Sequence, residues 1–280
     1  MAALRNGGPT PIDRRCVLCV IGGSVVSGVT QLHGIVYIVC SGSSAIIRFN
    51  ARTQQRLTDI IVKELRQPQD IAACEQTSVM YVADHPISDA ECVWRVSSDG
   101  EDMKRWLQWS PSDTFSPDTL SVTSSRLLMT SRRNNQLRQF DAVGDELRQV
   151  DLPDDMKPQH AVESPTGTFI VSHFNTQLKQ CNISEVSTGG QVLRQFSGSD
   201  LLPFSLTQHV AVDSQGNIFV ADSDNSRILL FSSELTLRRV IIDEHQLKEK
   251  QPQRLCYTEQ SGQLLVGFYG VVAVFDVLRR

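Results

Sequence analysis

The chain lacks any apolar run approaching the roughly 20 residues that a membrane-spanning helix needs, and its first residues, MAALRNGGPTPIDRR, contain no apolar leader core. A cytoplasmic protein outside the membrane is the expectation. Excess basic charge is also missing. With 27 Lys and Arg against 31 Asp and Glu the net charge is −4, so nothing in the global balance draws the chain to DNA or to an anionic membrane. Cysteines are few, scattered and odd in number, seven in all, which excludes a complete disulfide framework and suits a reducing compartment. Cys16 and Cys19 have CxxC spacing, but they lie in the strand-like run CVLCVI. Residues three apart on a strand point to opposite faces, so this pair is not expected to hold a metal. Extended helical patterning is absent, and the longest candidate, Asp243 to Lys250, is short, charged and read as a helical turn between larger units. No G-x-S-x-G, no Ser-His-Asp ordering and no phosphate-cradling glycine loop occurs, so neither a catalytic residue nor a cofactor is expected. Asn182-Ile-Ser184 is a formal glycosylation acceptor that has no use without a secretory route.

What the chain does contain is a repeated β-unit. Its clearest copy runs from Pro203 to Phe231. Val210 and Val212 alternate with polar neighbours, Asp213 to Asn217 has turn composition, Ile218 to Ala221 forms a second apolar run, and Arg227 to Phe231 a third. Pro68-Gln-Asp-Ile71, Pro117-Asp-Thr-Leu120, Pro158-Gln-His-Ala161, Thr207-Gln-His-Val210 and Pro252-Gln-Arg-Leu255 open successive units at spacings of 49, 41, 49 and 45 residues. A weaker unit precedes them, with Ile35 to Val39 and Ala45 to Phe49 as strands. The third strands are expected to end at Phe49, Val96, Phe140, Cys181, Phe231 and Phe275. Fourth strands show as Leu147-Arg-Gln-Val150, Leu193-Arg-Gln-Phe196 and Leu237-Arg-Arg-Val240, with Arg56-Leu57 and Lys104-Arg-Trp106 as looser versions. The last unit runs out after three strands, and Arg14 to Ile21 supplies the missing one. The expectation is an all-β, six-bladed β-propeller of four-stranded antiparallel blades, closed by the amino-terminal strand completing the last blade. Residues 1–10 are expected to be flexible, 11–280 to be one domain, and the protein to be a monomer.

Asp222, Asn225 and Arg227, in the spacing D-x-x-N-x-R after an apolar strand and a G-N turn, resemble the NHL repeat. The resemblance implies a propeller blade in which the Asp and Arg pair across the turn between second and third strands. Elsewhere the lettering departs: Asn134 and Asn175 keep the Asn position but are followed by Gln136 and Gln177, and an insertion from His85 to Glu91 follows Asp84. Relatives carry such propellers behind RING, B-box and coiled-coil segments in tripartite-motif ubiquitin ligases. None of those segments occurs in this sequence, so ligase activity does not transfer.

In a four-stranded meander the turns before strand one and between strands two and three share one end. Gln69, Asp118, Gln159, Gln208 and Gln253 occupy one repeated position there, followed by Asp70, Thr119, His160, His209 and Arg254, and are expected to line the open mouth of a central channel. His85, His173 and possibly His245 would gather nearby. Three readings follow. The leading one is a non-catalytic module that binds a protein or peptide partner on this mouth, helped by the His85 to Glu91 turn and the Trp106 to Phe115 run. The second is single-stranded RNA on a basic turn face, through Arg132 and Arg133 with Arg138 and Arg254, stacked on Phe174 or Trp94. The third is a metal-dependent lyase or hydrolase, since the amidating lyases resemble this chain in architecture and place zinc-binding histidines at channel mouths. Here glutamine stands where those histidines are expected, and His160 with His209 makes only a partial site, so no metal is assigned.

Overall fold

Strands buried on both faces read as unbroken apolar runs, whereas strands facing water on one side alternate. The second strand of each repeat is of the first kind and the fourth of the second kind, which places the former inside the molecule and the latter at its rim. The computed structural model describes residues 14–19, 25–87, 89–110, 112–198, 207–248 and 250–277; the expected flexible start lies outside them. Among the described residues there are six four-stranded antiparallel sheets. Blade 1 comprises β2 (Val26–Leu32), β3 (Ile35–Cys40), β4 (Ala45–Asn50) and β5 (Ile60–Ile61), and blade 2 comprises β6 (Pro68–Cys74), β7 (Val79–Asp84), β8 (Cys92–Ser97) and β9 (Met103–Gln108). Blade 3 is built from β10 (Thr119–Thr123), β11 (Arg126–Ser131), β12 (Gln136–Phe140) and β13 (Glu146–Asp151). Blade 4 has β14 (Met156–Glu163), β15 (Phe169–Asn175), β16 (Gln180–Val186) and β17 (Val192–Phe196). Blade 5 has β18 (Thr207–Val212), β19 (Ile218–Asp222), β20 (Arg227–Phe231) and β21 (Leu237–Ile242). In blade 6, β22 (Arg254–Thr258), β23 (Gln263–Gly267) and β24 (Val271–Asp276) are completed by β1 (Arg14–Cys19), with Arg14 opposite Phe275 and Cys19 opposite Val271.

The core lies between blades. Tyr37, Val39 and Ile46 of blade 1 pack against Ile71, Met80 and Val82 of blade 2, and the Tyr37 hydroxyl, which burial would otherwise strand, donates to the Ser98 carbonyl at 2.9 Å. Leu18 of β1 is buried with Val272 and Val274, so closure adds apolar packing as well as hydrogen bonds. Side chains at the ends of second strands catch the incoming backbone of their own blade. Asp84 accepts from the Arg66 and Gln67 amides and from Trp94 Nε1, and Ser131 Oγ accepts from the Ser116 amide. In blade 5, Asp222 accepts from Asn225 Nδ2 at 3.0 Å and from Arg227 Nε at 2.7 Å, the pairing that the repeat lettering implies.

Two strand boundaries differ from expectation. The fourth strand of blade 1 is Ile60–Ile61, while Arg56 makes only an isolated bridge to Phe49. The cause is a wide turn: Asn50 Oδ1 accepts from the Arg52 and Thr53 amides and Gln54 takes φ 62°, so the chain regains the sheet later. In blade 4, Cys181 lies near the start of the third strand, which continues to Val186. Between strands, α1 (Glu244–Leu247) is a single turn capped by Asp243, in keeping with the helical turn expected there.

Candidate functional site

Most inner strands carry a β-bulge near their start, at Val26/Gly28, Pro68/Asp70, Pro158/His160 and Thr207/Val210. A bulge adds a residue and re-aims the side chain beside it. The equivalent positions around the ring are Gly28, Asp70, Thr119, His160, His209 and Arg254, and the side chains of Asp70, His160 and His209 converge there. Asp70 is 1 % exposed and accepts from the Ile71 and Leu120 amides, each at 2.9 Å. His160, also 1 % exposed, lies with Nε2 3.3 Å from the Leu120 carbonyl, and its Nδ1 accepts from the Val210 amide at 3.3 Å. His209, 5 % exposed, stacks on His160 with ring centroids 3.5 Å apart. Its Nε2 is 3.6 Å from Asp70 Oδ2, and neither nitrogen makes a well-formed hydrogen bond, although the Leu255 and Val210 backbone groups lie close enough to favour the protonated ring. Arg254 reaches across blade 1, donating through Nε to the Ser27 carbonyl and through Nη2 to the Gln69 carbonyl. Gly28 permits the close approach of blades 1 and 2 beside this site, because a Cβ there would lie 2.6 Å from the Ile71 nitrogen.

Burial and the Arg254 charge set the electrostatics. Desolvation pushes both histidines well below the ordinary imidazole value; the neighbouring histidine adds to this for His160 and the Arg254 guanidinium for His209, so both are neutral at pH 7. Burial raises Asp70, opposed by Arg254, His160 and the two amides.

The position of these groups corrects the expected open mouth. Asp70, His160 and His209 are buried, with Arg254 half-buried beside them, and together they plug the channel at that end. The free space is on the other side of the plug, a cavity of about 280 Å³ facing the turns between first and second strands, with His160 and His209 in its wall. Gln69, Asp118, Gln159 and Gln253 remain outside the plug and half-buried. Gln69 donates to the Gln67 carbonyl, Gln159 accepts from Arg132, and Asp118 accepts from the Arg132 amide at 2.7 Å. The side chain of Gln208 lies outside the described residues. Of the other histidines, His85 meets the Pro117 carbonyl, His173 is buried against Ser184 and His245 is exposed on α1, so the five do not gather. Arg132 and Arg133 are exposed and sit beside Asp118 and Glu91. Trp94 is buried in the core, Phe174 packs against core residues, and Trp109 and Phe115 pack on each other between blades 2 and 3.

The cavity mouth carries residues that sequence reasoning passed over: Glu75, Glu163, Glu259, Gln31 and Thr258. A signal was available, since Glu75 follows Asp70 and Glu259 follows Arg254 by the same five residues.

Asp70, His160 and His209 are also the one group among the described residues whose metal-ligating atoms all lie within 4.8 Å of one another. A resident zinc takes three or four such donors. His160 spends both nitrogens on backbone groups, which leaves Asp70 and His209 as ready donors beside a fixed guanidinium. This set does not fit a resident divalent ion.

Fold and channel define a six-bladed β-propeller. The NHL repeat matches it over residues 208–231, in blade 5. No curated protein matches the chain in sequence. Among solved structures, a gluconolactonase from Xanthomonas campestris is similar with a TM-score of 0.70 at 12 % identity, over 98 % of this chain and 99 % of that one. Virginiamycin B lyase from Staphylococcus aureus gives 0.65 at 11 %, over 94 % and 99 %, and hydrazine synthase from Kuenenia stuttgartiensis 0.65 at 13 %, over 98 % and 99 %. Likeness at these identities is one of fold alone. The expectation of a non-catalytic interaction module is corrected at the ring on which it rested: Asp70, His160 and His209 are buried in the channel instead of lining an open mouth, and the propellers similar in fold include a gluconolactonase and a lyase.

Proposed function

We propose that this protein is a lyase or hydrolase of the six-bladed propeller type, with its reaction centre in the channel cavity and His209 as the general base. The observation that carries the reading is His209 itself, a neutral, buried imidazole in the cavity wall whose nitrogens make no well-formed hydrogen bond, with Asp70 Oδ2 3.6 Å from Nε2. Buried polar atoms without partners are costly and uncommon in structural roles. Asp70 beside Nε2 favours the proton there, which leaves the lone pair on Nδ1, and stabilises the imidazolium that forms on proton uptake. In the opening of a lactone or ester, Nδ1 takes a proton from water as its oxygen bonds to the carbonyl carbon. The acyl carbon–oxygen bond then breaks, and the departing oxygen recovers the proton from His209. The gluconolactonase likeness makes δ-gluconolactone and simple aryl esters the first substrates to try.

Turnover of that panel is expected, with His209→Gln lowering kcat by roughly 10²-fold or more and Asp70→Asn lowering it less, while exhaustive chelation leaves the wild-type rate unchanged. A His209→Gln protein as active as wild type would sink the assignment of the base. Loss of activity on chelation, restored by added metal, would replace it with a metal-dependent mechanism.

A further inference from the structure

The two channel histidines are chemically alike but differently held. His160 spends both ring nitrogens on backbone groups: Nε2 lies 3.3 Å from the Leu120 carbonyl, which can only accept, and Nδ1 lies 3.3 Å from the Val210 amide, which can only donate. One tautomer satisfies both, with the proton on Nε2. A second proton, on Nδ1, would face the Val210 N–H, so this ring is fixed as a neutral imidazole and cannot exchange protons with a substrate while those bonds stand. Leu120 also ties His160 to Asp70, because its amide donates to Asp70 Oδ2 at 2.9 Å while its carbonyl accepts from His160. His209 has no such frame. Neither of its nitrogens makes a well-formed hydrogen bond, and a buried ring in that state needs another restraint to keep one orientation. That restraint is His160, whose ring covers one face of His209 with centroids 3.5 Å apart and planes inclined by 22°. Val210, bonded to His160, directly follows His209 in the chain, so the same ring holds the base at its side chain and beside its backbone.

Building on the enzyme reading above, we propose that His160 is a positioning residue, a ring locked by Leu120 and Val210 whose stack fixes the plane of the His209 base between Asp70 and the cavity. It touches no reacting atom in this role. The arrangement also divides the work between the two histidines: the pair takes up one proton, on His209, because His160 has no free lone pair for another.

The lock can be measured on the wild-type chain without turnover. Long-range nitrogen–proton NMR of histidine-labelled protein at pH 7 is expected to show His160 as the Nε2–H tautomer alone. His160→Gln keeps an acceptor for Val210 and a donor for Leu120 but removes the stacked ring. In that variant, shown to be folded by circular dichroism, the His209 ring signals are expected to shift and broaden, and kcat on the lactone and ester panel to fall about tenfold with KM little changed. His160→Phe, which restores a flat face, is expected to bring the His209 signals back towards wild type. An Nδ1–H or mixed tautomer at His160, His209 signals unmoved by His160→Gln, or signals that His160→Phe leaves as displaced as His160→Gln does, overturns the proposal. If no member of the panel is turned over, the enzyme reading fails alone, and the NMR measurements still decide whether His160 holds His209.

Discussion

His173 makes this protein acid-sensitive in a calculable way. The ring is 1 % exposed in β15, Nε2 is 2.8 Å from Ser184 Oγ, and Nδ1 has no partner. Burial pushes its pKa from 6.5 down to about 4, with Asp155 pulling weakly the other way. The folded protein therefore keeps His173 neutral where the unfolded chain already binds a proton. Stability is full above pH 6.5, falls as pH drops from 6.5 towards 4, and loses nothing more from this residue below 4. At about 1.4 kcal/mol per pH unit, the loss across that window is roughly 3 kcal/mol. His160 and His209 act in the same direction, so the comparison must isolate one residue. Urea unfolding of wild type and His173→Gln, from pH 7.5 to pH 4, does so, because the other two histidines contribute equally to both proteins. The gap between the two stabilities is expected to shift by roughly 3 kcal/mol in favour of the variant as pH falls. Parallel curves would show that His173 titrates freely and that its environment is wet.

Two further substitutions probe the frame that holds the site. Gly28→Ala places a Cβ 2.6 Å from the Ile71 nitrogen and 2.9 Å from two Asp70 backbone atoms. Blades 1 and 2 must part, which is expected to cost about 1–3 kcal/mol, read as a lowered Tm, and to alter the His209 ring signals in NMR. Asp84→Ala removes the acceptor of two amides and the Trp94 indole. A loss of roughly 2–4 kcal/mol follows, accompanied by a red shift of tryptophan fluorescence.

Much of this architecture could be read from the chain because blade construction is local. Alternation, turn residues and the repeated Pro-Gln openings each act within a few residues, and strand closure followed from one unit being a strand short. The third strand of blade 4 escaped because it buries polar groups: Asn182 and Ser184 are fully inside, where the apolar pattern expects Val or Ile. For the site, the ring members Asp70, His160, His209 and Arg254 were found by their common position. Which end of the channel is open was not readable. It depends on the bulges that re-aim these side chains, on the space at Gly28 and on the reach of Arg254, all of them contacts between residues distant in sequence. The rim glutamates were missed for a related reason, since a turn glutamate is ordinarily just solvated and only the ring brings three of them to one opening.

The closing pair β1 and β24 also has a mechanical consequence. Arg14 sits opposite Phe275 at the same end of the pair from which both chain termini depart, and Cys19 lies opposite Val271 at the far end. Tension between the termini therefore peels the strands apart from the Arg14 end, loading one hydrogen-bonded pair at a time. A shear arrangement would share the load among all of them. A small force should open the ring at this seam while the other blades stay folded, and the seam should reclose once the pull is released, as Leu18 returns to its place beside Val272 and Val274.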